Sequence, residues 1–280
     1  MALSNLFFFG YGYVAQHLHQ MLPPHTQVAG CKRLDSLPDS IHPFSKIPYE
    51  VLDRFDHFLI SIPPTEHGDP TLHHYSDYFT HRTPPIRWIG YLSASSVYGD
   101  QKGSWIDETT PPAPTSSRGH HRLLAEHQWK STNLPLSIFR LSGIYGPDRS
   151  AIESILTTRV QLIDKPEHVF NRMHVRDIGR IIMATLQTPI PLLNLADDSP
   201  APLWQVYDYA YNLLKMPAPP LISYDQARLS QMMREFFSEN KRIKNDRVKQ
   251  ILKDNLLYPT YREGLENCLQ WYLKKSKELI

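Results

Sequence analysis

The ten residues LFFFGYGYVA, at positions 6–15, constrain this chain more than any other stretch. Four apolar residues, three of them phenylalanine, run without a break into Gly10-Tyr11-Gly12-Tyr13-Val14-Ala15. An apolar run bounded by turn residues reads as a strand buried on both faces, the kind found in parallel sheets. A glycine turn and the start of a helix follow it. The spacing is GxGxxA, in which each small residue has its own reason. A Cβ at Gly10 would clash in the tight turn. Gly12 lets the backbone come close to a pyrophosphate. Ala15 lets the new helix lie on the strand. The helix N-terminus then offers N–H groups and a partial positive charge to phosphates. Strand, turn and helix together predict a dinucleotide site, with Gly10, Tyr11, Gly12, Tyr13, Val14 and Ala15 at its phosphate end. The bland alternative is a glycine turn with no ligand.

The chain goes on alternating in the same way. A helix over 13–21 leads to a strand over 27–30 and a short strand over 41–44. A clearer strand over 56–62 is ended by Pro63-Pro64. A polar helix over 72–81, a strand over 87–92, a long proline-rich loop over 105–117, a helix over 118–131 and a strand over 136–141 complete the series. This alternation predicts an α/β fold with a parallel, doubly wound sheet of the Rossmann kind. Such sheets bind ligands at the carboxyl ends of their strands, which adds Ser61, Ile62 and Pro63 to the candidate cofactor contacts. The end of the second strand bears on the choice of cofactor. A NAD site usually has an acid there for the ribose 2′-hydroxyl. Here Cys31-Lys32-Arg33 follows, with no acid. Lys32 and Arg33 can pair with a 2′-phosphate, which favours NADP over NAD; the bland reading is two solvated cations. Beyond Gly146 the pattern changes. Helical spacing over 152–159, 173–187, 203–215 and 261–277, with a strand over 192–195, predicts a smaller C-terminal α/β substrate domain. The expected division is 1–147 and 148–280, with segments near 174–196 returning to the first.

The composition narrows the functions. Thirty Lys and Arg against 28 Asp and Glu leave a net charge of +2, no footprint for nucleic acid. No apolar run approaches the roughly 20 residues of a membrane helix, and no basic leader precedes the glycine turn. Cys31 and Cys268 suggest neither a metal pair nor a disulfide framework, and suit a reducing cytoplasm. The 14 histidines show no metal-ligand spacing and read as surface residues, so no metal site is expected.

Several stretches, in order along the chain, carry a resemblance. They are the turn at 10–15, SASSVYGD at 93–100, RLLAE at 122–126, FRLSGIYGP at 139–147 and HVRDI at 174–178. Together they resemble the extended short-chain dehydrogenase/reductases, the NAD-dependent epimerase/dehydratase group. NLADD at 194–198, ENKRIKN at 239–245 and YPTYREGL at 258–265 look closer still to a poorly characterised bacterial subgroup. The resemblance implies a Rossmann domain with a small substrate domain. It also implies a homodimer, since such proteins often pair through the helices that carry their TyrxxxLys motif. Lastly it implies a catalytic set of Ser or Thr, Tyr and Lys. In that set the Tyr is the general acid/base, the Lys lowers its pKa and holds the nicotinamide ribose, and the Ser orients the substrate oxygen.

This chain departs from that set. Aligned on LLAE, Arg118 stands at the Tyr position and Arg122 at the Lys position. Ala94 stands at the Ser position, flanked by Ser93 and Ser95. Arginine stays protonated and cannot cycle a proton, but it grips a carboxylate or phosphate with two parallel hydrogen bonds. The candidate catalytic residues are therefore Ser93, Ser95, Arg118 and Arg122, with Arg122 also a donor to the cofactor ribose. Arg118 and Arg122 lie one turn apart on a helix, so a solvated face stays open as a reading. Ser93 and Ser95 share one side of an extended chain and Ala94 points the other way. His120 and His121 adjoin the motif and titrate near neutrality. Tyr98 reads as a packing residue, and His174 with Asp177 as a hydrogen-bonded pair at a helix start. Lys241 and Arg242 either grip an anionic substrate or face solvent. Two functions remain open. One is an NADP-linked epimerase/dehydratase-like or reductase-like enzyme acting on an anionic small molecule, nucleotide-linked ones included. The other is a dinucleotide-binding sensor or regulatory module without chemistry.

Overall fold

Seven strands hydrogen-bond into one sheet in the order Leu192–Leu195, Leu136–Leu141, Trp88–Ala94, His57–Ile60, Asn5–Phe9, Gln27–Lys32, Ile41–Pro43. The structure is a computed structural model that describes residues 3, 5–32, 40–83, 85–253 and 255–278. Asn5–Phe9 runs parallel to Gln27–Lys32 on one side and to His57–Ile60 on the other. The pairings of Gln27–Lys32 with Ile41–Pro43 and of His57–Ile60 with Trp88–Ala94 are parallel too. The chain moves outward one way from the first strand, then returns and moves outward the other way. The sheet is therefore doubly wound, with its switch point beside the end of Asn5–Phe9.

The chain divides into two compact units. Residues 1–98, 112–140 and 178–193 form the first; 99–111, 141–177 and 194–280 form the second. In the first, side chains alternate across the sheet. Phe7, Phe9, Phe58 and Ile89 pack with Tyr75 and Phe79 of the helix Pro70–His81 and with Trp129 of the helix Ser117–Ser131. The helix Tyr13–Met21 buries Val14, Ala15 and Leu18. On that side Gly179 lies against Met21 and Leu18. Burying rings of this size is the main stabilising term available to such a sheet.

The second unit has its own core, drawn from the helices Ala151–Thr157, Leu203–Leu213 and Tyr261–Glu278. Its strands form two-stranded parallel pairs, Gly143–Tyr145 with Arg172–His174 and Leu162–Asp164 with Leu221–Ser223. A third pair, Trp105–Ile106 with Arg242–Ile243, interrupts the stretch read as a proline-rich loop. Its two residues gain ladder partners only from a segment far along the chain. The stretch 173–187 likewise begins as strand, through His174, and turns helical from Val175.

The surface reading fails for three histidines. His57 is buried between the Asp56 carboxylate, 2.6 Å from Nδ1, and Leu186 O, 3.2 Å from Nε2. His168 is buried against Phe170 and Phe237, where burial pushes its pKa down to about 4. His174 stacks on Tyr258 with ring centres 3.8 Å apart. Each is a polar ring that a hydrogen bond or a ring face makes tolerable inside. Among the described residues no His, Cys, Asp or Glu cluster could hold a metal, and no helix is long and apolar enough to cross a membrane.

Asp197 is the unusual acid of the second core. It is 2% exposed, and its carboxylate accepts from Ser199 N at 3.1 Å. Burial raises its pKa to about 7, against the opposing pull of Arg172. The folded state therefore holds this proton more tightly than the unfolded state. Its stabilising contribution is full below the unfolded carboxylate pKa and is lost as pH rises through about 7. Thermal unfolding across roughly pH 4–8 should show a loss of about 2–4 kcal/mol that Asp197→Asn removes.

Candidate dinucleotide site

The phosphate end is built by backbone at the switch point. Gly10 has φ +98°, a left-handed conformation, and a Cβ there would meet Ser61 Oγ at 2.6 Å. Ser61 closes the turn by donating from its N to Phe9 O at 2.8 Å and from its Oγ to Gly10 O at 2.7 Å. Tyr11 N donates to Cys31 O at 2.8 Å, which ties the turn to the second strand. Gly10 is thus required by the protein itself.

Gly12 is different. Its φ of −95° is open to any residue, and a Cβ built on it meets no atom of the described residues within 4 Å. Neither conformation nor packing inside the protein calls for glycine there. What a side chain would fill is the approach to the helix N-terminus. That helix has no side-chain cap and no acid in its first turn. By contrast Asp69 caps Pro70–His81 and Ser116 caps Ser117–Ser131. An uncapped N-terminus behind an open glycine fits a pyrophosphate. Val14 and Ala15 are buried and seat the helix on the sheet. Just beyond Ser61, Ile62 lies half-buried and Pro63 is exposed, the Ile62 backbone being 3.1 Å from the Cβ position of Gly10.

At the end of the second strand a small polar cluster stands where an acid was absent from the sequence. Tyr11 Oη and His19 Nδ1 are 2.5 Å apart, and Lys32 Nζ lies 5.5 Å over the Tyr11 ring. Arg33 lies outside the described residues. Cys31, one step inward, is buried, and burial pushes its thiol up to about 12, so it is an inert packing residue.

The other candidates gather at the end of Trp88–Ala94. Arg122 donates from Nη1 to Leu92 O at 2.5 Å and to Tyr91 Oη at 3.4 Å. Arg118, one turn earlier, is exposed. Ser93 is buried, and its Oγ donates to Glu126 at 2.6 Å. Ser95 does not share its side on an extended chain: the strand ends at Ala94, and Ser95 begins a 3-10 turn, Ser95–Tyr98. His120 is exposed, with Nδ1 2.9 Å from Ser116 O. Tyr98 is fully buried under the Arg140 guanidinium, 4.6 Å from its ring centre, as a packing residue should be.

No protein-family model and no curated protein matches this chain. Solved structures do. A functionally unknown conserved protein from Silicibacter pomeroyi is 40% identical over 95% of this chain and 98% of its own, with a TM-score of 0.88. The chain belongs to that protein's family. Two more distant structures share the fold. A putative NAD-dependent epimerase/dehydratase from Methylobacillus flagellatus is 20% identical over 96% and 98% of the two chains, TM-score 0.67. The UDP-glucuronic acid 4-epimerase from Bacillus cereus, solved in complex with NAD, is 15% identical over 96% and 99%, TM-score 0.72.

In this member of the Silicibacter protein's family, sequence reasoning missed the group that sets the second half of the site. Glu126 is fully buried and takes Arg140 in two bonds, Nε at 3.0 Å and Nη2 at 2.7 Å, besides Ser93. The triad locks helix Ser117–Ser131, and with it Arg122, onto two strands. Its signal was a lone arginine inside the apolar strand LSIFRL, because a charge there needs a buried partner. Lys241 and Arg242 are corrected as well. Lys241 is 5% exposed and donates to Gly99 O at 2.6 Å and Glu239 at 2.7 Å, while Arg242 donates to Gly103 O. Both serve the second unit's own loops. Asp177 accepts from Leu257 N and Tyr258 N, each at 2.9 Å, a structural role. Gly10→Ala should cost about 1–3 kcal/mol in denaturant unfolding, through strain and the Ser61 clash.

Proposed function

We propose that this chain binds a nicotinamide dinucleotide across the carboxyl edge of its sheet and prefers NADP to NAD. The observation that carries the reading is Gly12, a glycine with ordinary φ and empty space where its Cβ would be, at an uncapped helix N-terminus. The N–H groups of that helix hold the pyrophosphate. Lys32, steadied over Tyr11 with no acid beside it in the strand, pairs with the 2′-phosphate. Arg122 keeps donors beyond Nη1 for ribose hydroxyls. When bound, the dinucleotide supplies hydride exchange at its nicotinamide ring. NAD in the Bacillus cereus epimerase, on the same fold, supports the ligand class.

The protein is then an epimerase/dehydratase-like or reductase-like enzyme for an anionic small molecule, with Arg118 as its candidate grip, working as a homodimer in the cytoplasm. A second reading has its own support. Ser93 is locked under Glu126, and arginines occupy both remaining catalytic positions, so no side chain there cycles a proton. On that reading the protein is a dinucleotide sensor. An NADPH-consumption screen with nucleotide sugars and carboxylates separates the two, turnover marking the enzyme.

Thermal shift tests the shared core of both readings. NADP or NADPH should raise the melting temperature by mass action, and by more than NAD or NADH. Gly12→Val should leave the unliganded melting temperature near the parent's and abolish the shift. Lys32→Ala should erase the advantage of the 2′-phosphate. A chain whose melting none of the four dinucleotides moves would overturn the proposal.

A further inference from the structure

Arg122 is a cation that the fold fixes in place and that no acid among the described residues neutralises. Its partners are Leu92 O, Tyr91 Oη and the Tyr91 ring, 5.9 Å away at its centre, all uncharged groups at the carboxyl end of Trp88–Ala94. Burial keeps the Tyr91 phenol protonated. Two acids act on Tyr91, and both are otherwise engaged. Glu126 is held by Arg140, by Ser93 and, at 3.9 Å, by Lys130. Asp69 accepts from Thr71 N at 2.8 Å and Leu72 N at 3.1 Å, and burial pushes its carboxyl toward the neutral form. No ion pair forms between Arg122 and an acid among the described residues.

The position of this charge gives it a consequence. In a doubly wound sheet the two halves of a dinucleotide lie on either side of the switch point. The phosphate turn and the strands Gln27–Lys32 and Ile41–Pro43 belong to the adenosine half. His57–Ile60 and Trp88–Ala94 belong to the nicotinamide half, and Arg122 is anchored on the second of these.

We propose that the site selects the reduced dinucleotide over the oxidised one, and that Arg122 is the group that selects. The inference rests on the dinucleotide reading above. The oxidised ring carries a positive charge that the reduced ring lacks, and the rest of the molecule is the same. A fixed cation therefore raises the free energy of the oxidised complex alone. A lysine could swing its ammonium aside on a flexible stem; a guanidinium held by a backbone carbonyl cannot.

Calorimetry on the full chain, with the reduced and oxidised forms of one dinucleotide, tests this. The parent protein should bind the reduced form at least about ten-fold more tightly, or 1.4 kcal/mol. Arg122→Gln should bring the ratio toward one, mainly by strengthening the oxidised complex. Arg122→Lys, with the charge on a mobile stem, should fall between. Equal affinities in the parent, or a ratio unchanged in both variants, overturn the selection by Arg122 and leave the dinucleotide reading standing. Binding of neither form overturns that reading and the inference with it.

Discussion

A reversal of the chain at Gly10, clamped by Ser61, sets the geometry of everything that follows. Three strands meet at this point. Phe9 and Gly10 offer carbonyls to Ser61, and Tyr11 turns its N–H to Cys31. The end of the first strand is thereby fixed against both neighbours at once. The conformation is one that only glycine adopts without strain, and the hydroxyl in front of it leaves no room for a side chain. Because the turn is rigid, the next helix starts where its N–H groups face outward from the sheet edge. The turn is held by backbone and one hydroxyl, with no charged side chain.

The other half of the sheet edge is organised by charge. Glu126, Arg140 and Ser93 form a buried triad beneath it. A buried ion pair contributes less to stability than apolar packing of the same volume, and removing one partner is costly. What such a pair does well is fix register. Here it fixes the helix Ser117–Ser131 against the strand Trp88–Ala94, so that Arg122 reaches the Leu92 carbonyl. The same lock removes Ser93 from any work at the edge. The strand end that results carries the permanent donors of Arg122, while the Ser93 hydroxyl is spent on Glu126.

The strands of the sheet were legible because most are short stretches dominated by apolar residues. The turn was legible because glycine spacing encodes a backbone shape. Elements that rest on distant partners were not. Trp105–Ile106 is a strand only because Arg242–Ile243 pairs with it, and Arg172–His174 only because Gly143–Tyr145 does. The helix Pro70–His81 starts two residues before the stretch read as helical, where Asp69 supplies the cap. Gly10, Gly12 and Lys32 could be named from the sequence as candidates, while the buried role of Glu126 could not. A glutamate on a helix looks solvated until the strand arginine that neutralises it is brought alongside.

The sequence by itself determined the doubly wound α/β class, the glycine turn and the permanent charge of two arginines, Arg118 and Arg122, spaced one helical turn apart. These follow from local rules: periodicity, the absence of a Cβ and the protonation chemistry of one residue type. Only the tertiary structure decided which charges are neutralised. Lys241 and Arg140 are bound inside, whereas among the described residues Arg122 has only uncharged partners. Whether a charge is compensated depends on groups within a few ångströms of it, and those come from residues that spacing along the chain does not relate.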